Sequence, residues 1–312
     1  MSITDNTRII VKVCKLYYEE NRSQKEISGL LGISRPQISR ILSYAKSNDI
    51  VSVKINNPYA EESQLEKAML NKYSLKDAVV VDTNGLSPQY ALEELGRQAS
   101  GQLETHISDG NLVGVMSGKT ISAVAKSLKS AEYNGIECIP LIGGIGSDGA
   151  EWYANIIAQN FAERVGGKYY LLNAPIIVKS KDAKEVLMRE PHIGDIIEKA
   201  KQCDVAIVGI GEVSKNSTTV QAGGISMEDI HKLKESNAVA SICTSYVNEM
   251  GKIVESDISE RSIGVKLEEL NKCKKIIAIA MGKEKVEAIK SVLIGGFIDV
   301  FITNIETAKD II

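Results

Sequence analysis

The sequence has little of the residue types on which several protein classes depend. Its 312 residues include 3 His, 5 Cys, 6 Pro and 1 Trp, and aromatic residues make up only 5%. Such scarce, scattered His and Cys side chains argue against a metal site, and an odd number of distant cysteines does not form a disulfide framework. Because proline is rare and 44% of residues are hydrophobic, the composition also argues against a mostly disordered chain.

Long apolar segments are absent as well. No run approaches the roughly 18 residues of a membrane-spanning helix, and the polar N-terminus has no signal-peptide pattern. We therefore expect a cytoplasmic protein with reduced thiols and with no membrane partner, no metal and no cofactor. A length of 312 residues predicts about two domains.

Charge is distributed unevenly along the chain. Residues 1–55 contain nine Lys and Arg against five Asp and Glu, a net charge of +4, whereas the rest of the chain carries −7. A basic head on an acidic body indicates that the head binds a polyanion.

Three helices are predicted near the N-terminus. The first two are defined by the spacing of their apolar residues and by the signals at their ends. The first covers about residues 5–20, where apolar side chains recur at helical intervals. The second begins after Ser23, which forms a capping box with Glu26, and it ends at Gly32, the residue type that best adopts the left-handed conformation of a helix end.

The third helix, residues 35–47, has a second capping box at its start and a basic, polar outer face. Two short helices joined by a glycine turn are typical of a helix-turn-helix, and the alternating residues 49–55 predict one strand of a wing. Since a helix fits the major groove and Arg and Gln pair with base edges, we predict that residues 1–56 form a winged helix-turn-helix that binds double-stranded operator DNA. The predicted DNA-binding residues are Ser34, Arg35, Gln37, Ser39 and Arg40.

Residues 57–62 are interpreted as a linker, and residues 63–312 as a larger domain. A helix over about residues 61–73 either bridges domains, pairs with a second subunit or packs within this domain. Buried strands then alternate with helices, which predicts a doubly wound α/β fold. The predicted strands are 78–81, 112–116, 136–142, 168–172, 205–209, 239–244, 276–280 and 300–303. The predicted helices are 88–107, 120–128, 153–165, 181–188, 193–201, 227–236, 283–293 and 305–311.

Ligands of such sheets bind where strands end and helices begin, so the loops there are the candidate sites. The segment 114–120 is similar to a P-loop, but it has three residues between its glycines where that motif has four, which argues against an ATPase. Its backbone N–H groups, two hydroxyls and one lysine at a helix N-terminus suit a phosphate monoester, although a plain strand-to-helix turn is the alternative. The residues concerned are Ser117, Gly118, Lys119 and Thr120.

Other loops carry weaker signals. Residues 144–149 match GxGxxG, but the next strand ends without the acid that a dinucleotide site needs, so we interpret this loop as the rim of a pocket. Glu212 follows a buried strand, and Lys285 lies at the start of a helix. Residues 215–219, with Gly223 and Gly224 behind them, form either a mobile flap or a solvent loop.

The whole chain resembles the SorC family of sugar-sensing bacterial transcriptional regulators, which includes deoxyribonucleoside regulators. In the head, the resemblance rests on Gln24-Lys25-Glu26-Ile27, Leu31-Gly32-Ile33-Ser34-Arg35 and Ile38-Ser39-Arg40-Ile41-Leu42. In the body, it rests on Val113-Gly114-Val115, Gly118-Lys119-Thr120, Gly143-Gly144, residues 204–211, Lys285 with Ala288-Ile289, and Ile302-Thr303 with Thr307-Ala308.

The resemblance implies a sugar-phosphate-isomerase-like effector domain without catalysis, a phosphorylated sugar as effector, and homodimers or homotetramers on a palindromic operator. Family phosphate contacts map onto residues 117–120 and Lys285. This sequence departs from the family at Asn248 and Asn304, where Asp is usual, and at Ser117, where Trp is common. Ile142 stands where some relatives carry a lysine that bonds covalently to an aldehyde sugar.

The leading hypothesis is a transcriptional regulator, a repressor rather than an activator, controlled by a sugar phosphate. Ser117, Gly118, Lys119, Thr120 and Lys285 bind the phosphate in this hypothesis, Glu212 and Asn248 bind sugar hydroxyls, and Gly143 and Gly144 complete the site. The alternative is a sugar-phosphate isomerase with a DNA-binding head, for which Glu212 and Asp148 are the candidate proton-transfer groups.

Overall fold

The computed structural model describes residues 6–144, 150–221 and 225–312. Asp5, Asp148, most of the GxGxxG loop, Gly223 and Gly224 lie outside the described residues. The chain divides into two compact units, Met1–Pro58 and Tyr59–Ile312. In the described ranges, no helix is long and apolar enough to cross a membrane.

The first unit is built from helices around a small apolar core. Helix α1 (Thr7–Cys14) continues as a π-helical segment (Lys15–Glu19) where a single α-helix is predicted, and α2 (Gln24–Leu31) and α3 (Arg35–Ser47) follow. The core consists of side chains from all three α-helices, namely Ile10, Val13, Cys14, Ile27, Ile38, Ile41, Leu42 and Ala45.

The predicted ends of α2 are confirmed. The Ser23 backbone N–H donates to the Glu26 carboxylate at 2.8 Å, and the Glu26 N–H donates to the Ser23 hydroxyl at 3.3 Å. Gly32 ends the helix with φ +66°, a conformation that a residue with a side chain rarely adopts. These end signals therefore fix the turn between α2 and α3.

The predicted wing strand is not formed. Residues 49–55 have no strand partner in the described part of this unit, and Val53 and Ile55 are 60% and 82% exposed. Instead, the Ile50 and Val51 N–H groups both donate to the Ala45 carbonyl, which folds the chain back on the end of α3. Alternating residues alone do not make a strand, because a strand needs a partner for its backbone groups.

The second unit contains a parallel sheet, so the predicted mixed α/β fold is confirmed. The strands are β1 (Asp77–Val81), β2 (Leu112–Val115), β3 (Glu137–Pro140), β4 (Lys168–Tyr169), β5 (Val205–Val208), β6 (Gly211–Glu212), β7 (Ala238–Ile242), β8 (Ser245–Asn248), β9 (Ile253–Val254), β10 (Lys275–Ile279) and β11 (Val300–Asn304). The helices are α4 (Ala60–Lys72), α5 (Pro88–Leu103), α6 (Lys119–Ser127), α7 (Ala154–Val165), α8 (Lys181–Met188), α9 (Pro191–Ala200), α10 (Thr218–Gln221), α11 (Met227–Glu235), α12 (Asp257–Arg261), α13 (Val286–Ile294) and α14 (Ile305–Ile311). Short 3-10 helices cover Ala150–Trp152, Leu267–Lys272 and Lys283–Lys285.

Seven described strands form the parallel sheet in the order β1-β11-β10-β5-β2-β3-β4. From β2 the chain first winds outward through β3 to β4, and then returns to place β5 on the other side of β2. The segment predicted as strand 239–244 does not join this sheet. It forms β7 of a smaller antiparallel sheet, β6-β7-β8-β9, of which β6, β8 and β9 were not predicted.

Side chains of the central strands alternate between two apolar cores. In β5, Val205 and Ile207 belong to one core, whereas Ala206 and Val208 belong to the other. This alternation follows from the two-residue period of a strand, and it means that both faces of the sheet are covered.

Helix α4 begins at Ala60, inside the predicted linker, and packs within the second unit. Met69 is fully buried, and the Tyr73 hydroxyl donates to the Ile311 carbonyl of α14 at 2.6 Å. Of the alternatives for this helix, the structure therefore shows packing against its own unit.

Phe301, at the centre of β11, tests the importance of the sheet core because its side chain is fully buried. We expect Phe301→Ala to lower the free energy of unfolding by about 3–5 kcal/mol, through lost burial and the cavity left behind. Urea titration followed by fluorescence of the single Trp measures this. Tyr90→Ala, which removes a ring that is 63% exposed, is the control and should cost less than about 0.5 kcal/mol. Equal losses in the two variants would contradict the described packing.

Candidate functional site

A cavity of about 360 Å³ lies at the carboxyl ends of β2, β5 and β10. It sits beside the junction of β2 and β5, where the winding of the sheet reverses. Six of the predicted effector residues line it: Ser117, Gly118, Lys119, Thr120, Glu212 and Lys285.

The loop from β2 into α6 forms one wall of this cavity. Gly118 has φ +143°, a conformation that favours glycine, and its N–H donates to the Trp152 carbonyl at 2.9 Å. Because Gly118 has no side chain to cap α6, the first N–H groups of the helix have no side-chain cap and lie next to the cavity. A helix N-terminus of this kind attracts an anion.

Trp152 anchors the same wall through a second contact. The Lys119 Nζ lies 4.3 Å from the centroid of the Trp152 ring, within the range of a cation–π interaction. The Ser122 hydroxyl donates to the neighbouring Glu151 carbonyl at 2.9 Å. The Lys119 ammonium group is therefore held near the start of α6 by the Trp152 ring. The single Trp of the chain thus lies next to the cavity.

The loop after β10 contributes a second cation. Gly282, with φ +121°, donates its N–H to the Thr307 hydroxyl at 2.9 Å, and the Lys285 N–H donates to the Gly282 carbonyl. Burial lowers the pKa of the Lys285 ammonium, and the nearby Lys119 acts in the same direction. The carboxylates of Glu284 and Glu212 act in the opposite direction on this pKa.

The opposite wall is polar and comes from the smaller sheet. Gly211 and Glu212 of β6 pair with Ser241 and Ala240 of β7. A Cβ on Gly211 would lie 2.5 Å from the Ser241 hydroxyl oxygen, so a larger residue there would require the Ser241 side chain to move. Further hydroxyl and amide groups of this wall belong to Asn216, Ser217, Thr218 and Thr219.

The segment 215–219, predicted as a flap or a solvent loop, contributes to that polar wall and leads into α10. Ser241 and Ile279 also line the cavity, and the sequence reasoning missed both. Ile279 lies one residue before the end of the predicted strand 276–280, so its position was recoverable. Ser241 was not recoverable, because its strand was assigned to the wrong sheet.

Three predicted effector residues do not line this cavity. The Gly143 N–H donates to the Ile263 carbonyl, and a Cβ at Gly143 would lie 2.5 Å from the Pro175 carbonyl oxygen. The Gly144 N–H donates to the Ala174 carbonyl at 2.9 Å. Gly143 thus allows close backbone packing after β3, and Gly144 joins the same contact through its N–H.

Asn248, the third of these residues, closes the turn between β8 and β9. Its side-chain oxygen accepts from the N–H groups of Met250 and Lys252, both at 3.0 Å. It borders a separate cavity of about 670 Å³, whose walls also include Glu212 and Glu284. Asn248 therefore stabilises a turn next to the candidate site.

The five predicted DNA-binding residues are exposed at the start of α3. In the described part of the chain, no carboxylate forms an ion pair with Arg35 or Arg40. The Gln37 amide oxygen accepts from both the N–H and the hydroxyl of Ser34, at 3.2 and 2.9 Å. The two arginines thus present unpaired charge, whereas Gln37 and Ser34 cap the helix.

Metal-binding geometry is not found in the described ranges, where no group of three His, Cys, Asp or Glu side chains is placed to hold an ion. Ile142, at the position where some SorC relatives carry a covalent lysine, is buried and apolar. Asp148, one of the two candidate acids of the isomerase alternative, lies outside the described residues.

Comparison with known proteins identifies the family. The sugar-binding domain family matches residues 57–312. The chain is 30% identical to the deoxyribonucleoside regulator of Bacillus subtilis, over 99% of this chain and 98% of that protein. It is 28% identical to the sorbitol operon regulator of Klebsiella pneumoniae, over 99% of each chain.

Structural similarity agrees with the sequence comparison. The crystal structure of the full-length sorbitol operon regulator SorC from Klebsiella pneumoniae aligns with a TM-score of 0.75 and covers 98% of both chains. These relatives are transcriptional regulators and not enzymes, which decides against the isomerase alternative. The chain therefore belongs to the SorC family of transcriptional regulators with a sugar-binding domain.

Proposed function

We propose that the chain is a repressor whose binding to operator DNA is controlled by a phosphorylated sugar. The unit Met1–Pro58 binds the DNA, and the unit Tyr59–Ile312 binds the effector and joins subunits into a homodimer or homotetramer. The observation that carries this proposal is the convergence of a helix N-terminus, two lysines and a carboxylate on one cavity.

The phosphate group binds at the α6 end of the cavity. Backbone N–H groups at the start of α6, the hydroxyls of Ser117 and Thr120, and the ammonium groups of Lys119 and Lys285 supply donors and positive charge there. Phosphate is an acceptor-only dianion at neutral pH, so this set of donors complements it.

The sugar binds toward the wall formed by β6 and β7. A sugar hydroxyl donates to an acceptor, and Glu212 and Ser241 supply acceptor oxygens on that wall. A cavity of about 360 Å³ is of the size that holds a small ligand. Ile142 is buried and has no amine, so the covalent bond that some relatives form at this position is not available here.

Helix α3 is the proposed recognition helix of a helix-turn-helix. Arg35 and Arg40 make base or phosphate contacts, and Ser34 and Ser39 contribute phosphate contacts. Gln37 pairs with adenine only when its capping bonds to Ser34 open, so the arginines are the stronger candidates for base contacts.

Control of DNA binding follows from symmetry. Two copies of α3 in a two-fold oligomer read two half-sites at a fixed spacing. A sugar phosphate that binds one arrangement of subunits more tightly shifts the population toward that arrangement. We propose that the favoured arrangement separates the two recognition helices from their half-sites and releases the operator.

Lys285→Ala tests the phosphate end of the cavity. We expect the affinity for a sugar phosphate to fall at least tenfold, because a hydrogen bond to a charged group contributes about 1.5–3 kcal/mol. Fluorescence of Trp152, beside Lys119, follows titration with a panel of pentose and hexose phosphates. The control is Lys283→Ala, an exposed lysine two residues away that does not line the cavity. Equal affinities of the two variants for the sugar phosphate would show that Lys285 does not bind the phosphate.

The pH dependence of binding provides a second test. Lys285 binds phosphate when protonated, and its lowered folded-state pKa means that it loses its charge at a lower pH than an ordinary lysine. Affinity should therefore fall as pH rises through that lowered value, before the ordinary lysine pKa of about 10.4 is reached. The same titration on Lys285→Ala should give a flatter profile over this range. Identical profiles for both proteins would show that another group controls binding.

Arg40→Ala tests the DNA-binding helix. A base contact is worth about 1–3 kcal/mol, so operator affinity in a gel shift should fall roughly fivefold to more than a hundredfold. A smaller loss of equal size on operator and unrelated DNA would instead indicate a phosphate contact, with a reduced salt dependence. Arg164→Ala, an exposed arginine on α7, is the control for loss of positive charge. If Arg40→Ala bound like this control, α3 would not be the recognition helix.

A further inference from the structure

Cys203 and Cys273 lie side by side at the amino ends of two neighbouring strands. The pairing of β5 and β10 aligns Val205 with Lys275, and two residues earlier the same register aligns the two cysteines. Their Sγ atoms are 3.9 Å apart. Since the effector cavity is at the carboxyl ends of these strands, the cysteine pair belongs to the opposite edge of the sheet.

The two thiols differ in accessibility. Cys203 is 1% exposed, whereas Cys273 is partly exposed. Cys203 occupies space left by Gly114 of β2, where a Cβ would lie 3.1 Å from the Cys203 Sγ. The Cys273 Sγ is held 3.1 Å from the Lys275 carbonyl oxygen and 3.3 Å from the Asp204 carbonyl oxygen. The pair therefore has one accessible sulfur and one sheltered sulfur in direct contact.

The contact between the thiols makes their reactivity unequal. The Cys203 thiol donates a hydrogen bond to the Cys273 sulfur, and this bond lowers the pKa of Cys273 and raises the pKa of Cys203. The thiolate is the nucleophilic form of cysteine, and access decides whether an oxidant reaches it. Cys273 is thus the thiol that reacts first.

We propose that Cys203 and Cys273 form an oxidation site that a small hydroperoxide converts into an intramolecular disulfide. In the first step the Cys273 sulfur attacks a peroxide oxygen and the O–O bond breaks, and the released hydroxide takes up the thiol proton as water. The product is a sulfenic acid on Cys273.

In the second step the Cys203 sulfur attacks the Cys273 sulfur. The S–O bond breaks, and hydroxide leaves with the Cys203 proton as a second water molecule. Two thiols and one hydrogen peroxide thus give one disulfide and two waters. Because a disulfide has an S–S distance of about 2.05 Å, the sulfurs must approach by about 2 Å, a movement within reach of side-chain rotation.

Two other buried cysteines serve as controls. Cys138 belongs to the apolar core on the other face of the sheet, whereas Cys243, which directly follows β7, shares the face of the pair and is 7% exposed. Neither should take part in the disulfide, because the register places only Cys203 opposite Cys273.

Peptide mass spectrometry of the full-length chain tests the proposal. The reduced protein is treated with hydrogen peroxide, its remaining thiols are alkylated, and it is digested without reduction. We expect a peptide pair joining Cys203 to Cys273, with two hydrogens fewer than the free thiols. The same pair should form in Cys138→Ala and Cys243→Ala. In Cys273→Ala, Cys203 should remain a free thiol.

The wild-type chain alone decides the outcome, so the test does not depend on how well a variant folds. Sulfinic acid on Cys273 beside a free Cys203 thiol would overturn the proposal, because it would mean that Cys203 does not resolve the sulfenic acid. A disulfide that includes Cys243, or a Cys273 that peroxide leaves unmodified, would also overturn it.

Discussion

The reversal of winding beside β2 is the constraint on which the proposed effector site depends. Because β5 returns to the side of β2 opposite β3, the loops after β2 and β5 diverge and leave a crevice between them. The start of α6, the β6 strand and the loop after β10 all border this crevice. Donors, cations and a carboxylate converge there although they are up to about half the chain apart in sequence.

Glycines make this convergence possible at particular points. Gly118 takes a backbone conformation that other residues rarely adopt, which turns the chain from β2 into α6 and exposes the helix N-terminus. Gly211 lets β6 approach Ser241 closely. In the proposed function, a phosphate therefore meets backbone N–H groups on one wall, while a sugar meets side-chain oxygens on the other.

Much of this arrangement could be predicted from local patterns. The continuous apolar runs of the parallel strands and the capping boxes of Ser23 and Ser34 are local signals, and the structure contains the corresponding elements. The residues 117–120 could be predicted to border a cavity because sheet topology places such cavities at strand ends.

What could not be predicted depends on contacts between distant segments. Strands β6 and β9 are two residues long and are defined only by their partners, so their sequences carry no period. The segment 49–55 alternates like a strand, but no described segment of its unit pairs with it. Asn304, a departure from the family, caps α14 and donates to the Thr83 hydroxyl, a role visible only once β1 and β11 are adjacent.

The central claim is that sugar phosphate binding controls operator binding. A gel shift on the DNA upstream of this protein's own gene, at fixed salt, with and without a panel of sugar phosphates, tests this claim most directly. The account predicts sequence-specific binding that one sugar phosphate releases and that its unphosphorylated sugar does not. Specific binding that no sugar phosphate changes, or the absence of specific binding, would contradict it.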